Sequence, residues 1–402
     1  MKFTPNNLIR VAGRLALVAL VPVLARPAIA GQDFVARFDR LDNQLNGGLG
    51  YVHRPGNTSG YAWGESYLMS AYVTMYRATS DTHFLDKLVD HFDRVLANRD
   101  DVRHLKDQFT NQELAGWGSS EYSKGKWHVW AVHTGMICLG PVDFVGLVKA
   151  EAKLKAKYSK KADEYLAKIK ECVGVFDKQW RPGPGVGEGS YLDQEVGLLP
   201  LNQQNALGSV MVELYLITRD HTYKDRATQL AKFMMNRVRK NADGSYDWSY
   251  WPKPDRTSSG SEDISHAAIN IEFAVRCKAA HIVLKDTDMH AFGLTWTNHI
   301  HRGEGEFADT VNGSGGPNTH SPQAVGRWVV LAGYEKTIFE DARIALGAMD
   351  DDKAGGAELL GIANLARFNA MTGHKRGFRL PRIKLFPRKG GKGNPPQPDT
   401  EI

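Results

Sequence analysis

The sequence has little that could staple it covalently or hold a cofactor. Only three of its 402 residues are cysteine, Cys138, Cys172 and Cys277, and none forms a C-x-x-C pair. An odd count excludes a fully paired disulfide framework. All three sit in apolar, helix-like patterns and read as small buried hydrophobes. No H-E-x-x-H is present, and His299, His301 and His320 are isolated, so no metal site is expected. Gly183 to Gly189 is rich in glycine, but no Lys-Ser/Thr follows it, which excludes a phosphate loop. A G-x-S-x-G elbow is missing as well. No cofactor is implied.

Long apolar runs are also scarce. Lys2, Arg10 and Arg14 precede a short run from Leu15 to Leu24, and Ala28-Ile29-Ala30 supplies small residues for cleavage. Residues 1–30 therefore read as a secretory signal peptide, too short in its apolar part to span a bilayer. The expectation is a secreted or periplasmic protein with no integral membrane segment in the mature chain. The net charge of +6 does not describe the body. Residues 1–30 carry four basic residues and no acid; residues 374–402 carry eight basic residues against Asp399 and Glu401. Removing both leaves residues 31–373 acidic by four charges, so the case for a nucleic-acid partner disappears. The basic, proline- and glycine-rich end reads as a flexible tail, and residues 31–373 as one domain.

What is present is an internal repeat. Leu68, Ala71, Tyr72, Met75, Tyr76, Thr79, Asp81 and Phe84 recur 139 positions later as Leu207, Val210, Met211, Leu214, Tyr215, Thr218, Asp220 and Tyr223. Apolar positions three or four apart predict amphipathic helices. The T-x-D between them suits a helix stop followed by an N-cap, so each copy predicts a helical hairpin. Tyr158, Ala162, Tyr165 and Ile169, and the stretch from Tyr334 to Ala345, resemble second helices of further copies. The spacing allows about three hairpins of ~45 residues per shift and five to seven in the body. The fold class predicted is all-α, with hairpins closed into an (α/α) toroid. Closure is favoured over an open solenoid because the connections are long and rich in Gly, Trp, Tyr and His.

Those connections hold the candidate chemistry. Trp63 and Glu65 precede the first repeat helix; Tyr122, Trp127, His128, Trp130 and His133 follow Trp117; Asp193, Glu195, Asn202 and Gln203 end the glycine-rich loop; Trp248, Tyr250 and Trp251 lead to Glu262, Asp263 and His266. The repeat equates Trp63 with Asn202, placing these clusters on one rim. The tryptophans are candidate platforms for the apolar face of a sugar, or simply core. Glu262 and Asp263 could be helix-end charges as readily as reacting groups.

The repeated Leu-Tyr-x-x-Thr-x-Asp-x-x-Tyr hairpin and the aromatic rim loops, from about Tyr61 to Ala370, resemble the six-hairpin (α/α)-toroid superfamily of carbohydrate-active enzymes. Polysaccharide lyases, several glycoside hydrolase families, sugar epimerases and the C-terminal region of D-glucuronyl C5-epimerases belong to it. The resemblance implies a polysaccharide or oligosaccharide partner and offers several chemistries. A lyase acting by β-elimination on a uronic-acid-containing glycan would use His133 or His266 as base and Tyr250 or Tyr122 as acid, with Asn202 and Gln203 at the carboxylate. A C5-epimerase would share the deprotonation. A glycosidase would draw two carboxylates from Glu65, Asp193, Glu195, Glu262 and Asp263. In each case Trp63, Glu65, Trp127, His128, Gln203, Trp248 and Trp251 are the expected substrate-binding residues. A non-catalytic glycan-binding toroid would keep the tryptophans alone.

Overall fold

Thirteen helices carry the described chain, which in this computed structural model comprises residues 33–253, 260–303, 305–316 and 321–373. The signal-peptide reading, the tail and His320 lie outside it. In order the helices are α1 (Phe34–Gln44), α2 (Thr58–Gly60), α3 (Ser66–Thr79), α4 (His83–Leu96), α5 (Ala131–Ala150), α6 (Ala152–Gly174) and α7 (Leu201–Thr218). Then come α8 (His221–Met235), α9 (Ile264–Ala279), α10 (Asp286–Thr295), α11 (Ser321–Trp328), α12 (Thr337–Gly347) and α13 (Gly356–Gly373).

The repeated T-x-D works as its chemistry dictates. Ser80 and Arg219 end α3 and α7 in the left-handed conformation. Thr79 and Thr218 turn their hydroxyls back onto the carbonyls of Met75 and Leu214, 2.8 and 2.7 Å away. Asp81 and Asp220 then accept from the first amides of the next helices, His83 N at 3.0 Å and Thr222 N at 2.9 Å. Two sequence-equivalent stops thus become two identical hairpin turns.

Odd-numbered helices from α3 to α13 form an inner ring: α3 packs on α5, α5 on α7, α7 on α9, α9 on α11, α11 on α13, and α13 back on α3. The even-numbered helices α4 to α12 and α1 lie outside, so six hairpins close the toroid. Burial follows from position. In α5 nearly every residue is buried, whereas α6 buries only one stripe, Leu154, Tyr158, Ala162, Tyr165 and Ile169. By length and apolarity α5 could cross a membrane, contrary to the expectation that no such stretch follows the leader, but it is enclosed by its neighbours. Close approach needs small residues. A Cβ on Gly135 would lie 2.5 Å from the backbone of Ala206, and one on Gly356 2.1 Å from the Gly64 carbonyl, where the ring closes.

The shift of 139 residues spans two hairpins, not three. The turn inside each hairpin is short, but the connections from outer to next inner helix are long and carry the small antiparallel ribbons, such as Gly118–Ser119 with His128–Val129. These connections gather at the amino ends of the inner helices. Towards the carboxyl ends a charged lattice ties the ring across its axis. Arg276 of α9 reaches Asp143 of α5 and Glu213 of α7, both at 2.7 Å, and Arg77 of α3 approaches Asp143 at 3.5 Å. Cys138, Cys172 and Cys277 are buried and unpaired.

Candidate active site

At the amino ends of the inner helices a second apolar cluster forms a floor: Tyr67, Trp130, Val132, Met136, Ala206, Ile269 and Ala357, joined by Trp63 and Leu360. Five inner helices or their leading residues contribute to it, so the axis of the ring runs through it. Two groups of half-exposed polar side chains stand at this floor.

The first group is centred on Tyr122, 45% exposed. Its hydroxyl accepts from Trp63 Nε1 at 3.0 Å, and its ring lies edge-on to Trp130 and His133 at 5.8 and 6.0 Å. Trp63 sits in a π-helical turn, Tyr61–Glu65, that widens the helix just before α3. His133 is fully buried, and burial pushes its pKa down to about 4, so the ring is neutral. Neither ring nitrogen meets a partner in good hydrogen-bond geometry.

The second group is built on the start of α9. Asp263 is its N-cap and accepts from the amides of Ser265 and His266. The same carboxylate holds His266 Nδ1. Although burial works against it, these bonds and the imidazole keep the Asp263 pKa below its usual value. The His266 side chain is 40% exposed, and its ring packs 5.0 Å from that of Tyr250. Gln203, in the first turn of α7, lies near Tyr250, and burial raises that phenol's pKa to about 12. Trp251, 52% exposed, extends the edge. Trp63 of the first group packs against the floor, and α9, which carries His266, contributes Ile269 to it, so both groups stand at the same end of the ring. One group thus joins Trp63, Tyr122 and His133, and the other Asp263, His266, Tyr250 and Trp251.

Other sequence candidates turn away. Glu65, expected at the substrate, is fully buried and is held by His91 Nδ1 at 2.6 Å and the Tyr51 amide at 2.8 Å. Trp248, expected as a sugar platform, is wholly buried and spends its indole N–H on Glu262. Glu262 is itself buried, takes a second bond from Asn270 at 2.6 Å, and is pushed by burial to a pKa of about 8. Asn202 is buried with its side-chain oxygen unpartnered. Half-buried Trp127 donates to Asp100 at 2.7 Å. Trp117 and Trp130 are core. His299 and His301 pair separately with Asp243 and Asp341.

His128 also leaves the substrate-facing set. It is buried between Asp107, 2.6 Å from Nδ1, and Asp193, 2.8 Å from Nε2. Burial alone would disfavour its charge, but the two carboxylates outweigh that and raise its pKa to about 9. The ion triad pins two rim connections together. Its stabilisation is complete below the unfolded pKa of about 6.5 and is lost as pH rises through about 9. Replacing His128 by Gln is expected to flatten the fall in Tm between those pH values; an unchanged profile would deny the triad this role.

Arg327 of α11 was not singled out by sequence. It is 7% exposed and donates to the Tyr67 hydroxyl at 3.0 Å and the Ser265 hydroxyl at 2.7 Å, beside His266.

No family model and no curated protein matches the chain. Solved structures do. A glycoside hydrolase family 76 α-mannanase of Bacteroides thetaiotaomicron is 12% identical over 86% of this chain and 98% of that one, with a TM-score of 0.55. An α-1,6-mannanase of Salegentibacter sp., solved as an inactive variant with two consecutive aspartates replaced and in complex with α-1,6-mannotriose, is 11% identical over 84% and 99%, with a TM-score of 0.52. A glycosyl hydrolase family 88 protein of Bacteroides vulgatus is 12% identical over 83% and 98%, with a TM-score of 0.52. At these identities the likeness establishes the (α/α)-toroid fold shared with carbohydrate-active enzymes.

Proposed function

We propose that this chain is a carbohydrate-active enzyme that binds a glycan at the amino-terminal rim of the ring and cleaves it by β-elimination at a uronic acid. One observation carries the reading: an exposed imidazole, His266, fixed through Nδ1 by the N-cap carboxylate Asp263 and stacked beside Tyr250. This leaves Nε2 free to take a proton from substrate. In the proposed step Nε2 removes the C5 proton, the electron pair forms the C4–C5 double bond, and the C4–O bond breaks. Tyr250 or Tyr122 protonates the leaving oxygen. Burial raises the pKa of both phenols, which keeps them protonated at neutral pH, as a donor requires. On this reading Trp63 and Trp251 flank a sugar ring. On this reading residues 1–30 direct export, and the mature protein starts at Gly31.

A second reading, hydrolysis, draws on a different observation. Glu262 and Asp263 are consecutive, and their environments push their pKa values apart, one to about 8 and the other below its usual value. The structural neighbours named above are glycoside hydrolases, one of them inactive when two consecutive aspartates are replaced.

The test is to incubate the exported protein, its amino terminus sequenced, with acidic and neutral polysaccharides while following ultraviolet absorbance of unsaturated uronate and new reducing ends. Elimination gives both signals on a uronate polymer. Reducing ends without absorbance favour hydrolysis, and neither signal despite binding leaves a glycan-binding toroid.

A further inference from the structure

Three arginines are buried among the described residues: Arg99, Arg237 and Arg327. Arg99 pairs with Asp101 and Glu171, and Arg237 with Glu188. Arg327 has no carboxylate partner among the described residues. Its contacts are two neutral hydroxyls, those of Tyr67 and Ser265, and the face of the Tyr67 ring 4.8 Å below. A guanidinium out of water without a counter-charge is costly, and an apolar side chain would fill the same space at less expense. The carboxyl end of α11 favours a cation at this point along the helix. That explains the residue type but not its burial. Of five N–H donors only two are used, and Nε has no partner. Nη1 and Nη2 each keep a second hydrogen beyond these bonds, and a carboxylate would take that pair end-on.

Position adds the second half of the argument. Tyr67 belongs to the apolar floor on the ring axis. Ser265, the other partner, immediately precedes His266 and is itself capped by Asp263. The unpaired charge is therefore one residue from the exposed imidazole and on the same face of the ring.

We infer that Arg327, with Tyr67 and Ser265, forms a carboxylate-recognising subsite that selects an acidic sugar. The inference rests on the glycan reading above and deepens it. A carboxylate held at Arg327 places the adjacent C5 beside His266, and the guanidinium stabilises charge that spreads into the carboxylate when the C5 proton leaves. The subsite supplies a full positive charge where the sequence offered only the amides of Asn202 and Gln203.

Calorimetric titration of the full chain with trimers of glucuronate, galacturonate and mannuronate, their methyl esters, and the corresponding neutral trimers tests it. Wild-type protein is expected to bind one acid over its ester by roughly 10- to 100-fold, the range for a hydrogen-bonded charge. Arg327→Met should erase that preference and leave ester affinity in place; Ser265→Ala should narrow it. Equal binding of acid and ester by wild type overturns the subsite and leaves the glycan reading standing, as does a preference that survives in Arg327→Met. Failure of every trimer to bind overturns both. Should Arg327→Met not fold, the acid–ester comparison on wild type and Ser265→Ala decides.

Discussion

Replacing His266 by alanine is expected to lower turnover by roughly 10² to 10⁴, the loss typical of removing a general base, while Tm scarcely changes. The two halves of this expectation have separate origins. Catalytically, His266 presents the exposed imidazole at the rim, fixed in tautomer and direction by Asp263. Neutral His133 is buried beneath Tyr122 and Trp63 and cannot replace it without moving both. Structurally, the side chain is 40% exposed and its one aromatic contact among the described residues is Tyr250, so little packing is lost. Asp263 keeps its capping bonds to the amides of Ser265 and residue 266, which do not depend on the imidazole. Initial rates with the best substrate and a thermal melt of the same preparation check both halves. Turnover within threefold of wild type would remove His266 from the chemistry. A large fall in Tm would make any loss of rate uninterpretable as catalysis, and Asp263→Asn would then serve, since it disturbs the imidazole's orientation while the side-chain oxygen still caps α9.

The toroid was legible because its hairpins repeat a local instruction. Thr79-x-Asp81 and Thr218-x-Asp220 each encode a stop and a start within a few residues, and the apolar spacing on either side follows the helical period. The number of hairpins per shift was not legible, because rim connections such as residues 97–130 lengthen each unit without leaving a periodic trace. The same limit governs the site. Sequence places Trp248 and Tyr250 on one rim loop, but not that Trp248 turns into the core while Tyr250 meets His266. Glu65 and His128 sit among loop aromatics in sequence; only the packed structure gives them His91 and the Asp107–Asp193 pair. Arg327 belongs to a short inner helix outside the repeat, and the lack of a counter-charge that distinguishes it is a property of three dimensions alone.

Glu262→Gln separates the two chemistries and carries the largest stability effect. In the fold Glu262 is wholly buried, accepts from Trp248 Nε1 and Asn270 Nδ2 through one oxygen, and has no partner for the other. Burial is the main cause of its pKa of about 8, against about 4.5 when free. The folded state therefore holds a proton that the unfolded state has released, and stability declines as pH climbs from about 4.5 to about 8. Glutamine reproduces the neutral acid: its carbonyl oxygen can accept both bonds, and no charge needs to be neutralised. The variant is expected to equal wild type near pH 4.5 and to exceed it by on the order of a few kcal/mol at pH 8, seen as a Tm that stays level where wild type falls. Parallel Tm profiles would mean that Glu262 is not protonated by the fold. The same variant, assayed for products, asks whether that proton is used. If hydrolysis is the reaction and Glu262 the acid, glutamine abolishes reducing-end formation despite the gain in stability. If elimination runs through His266 and Tyr250, the carboxyl behind Trp248 never meets substrate, and unsaturated product continues to form at close to the wild-type rate.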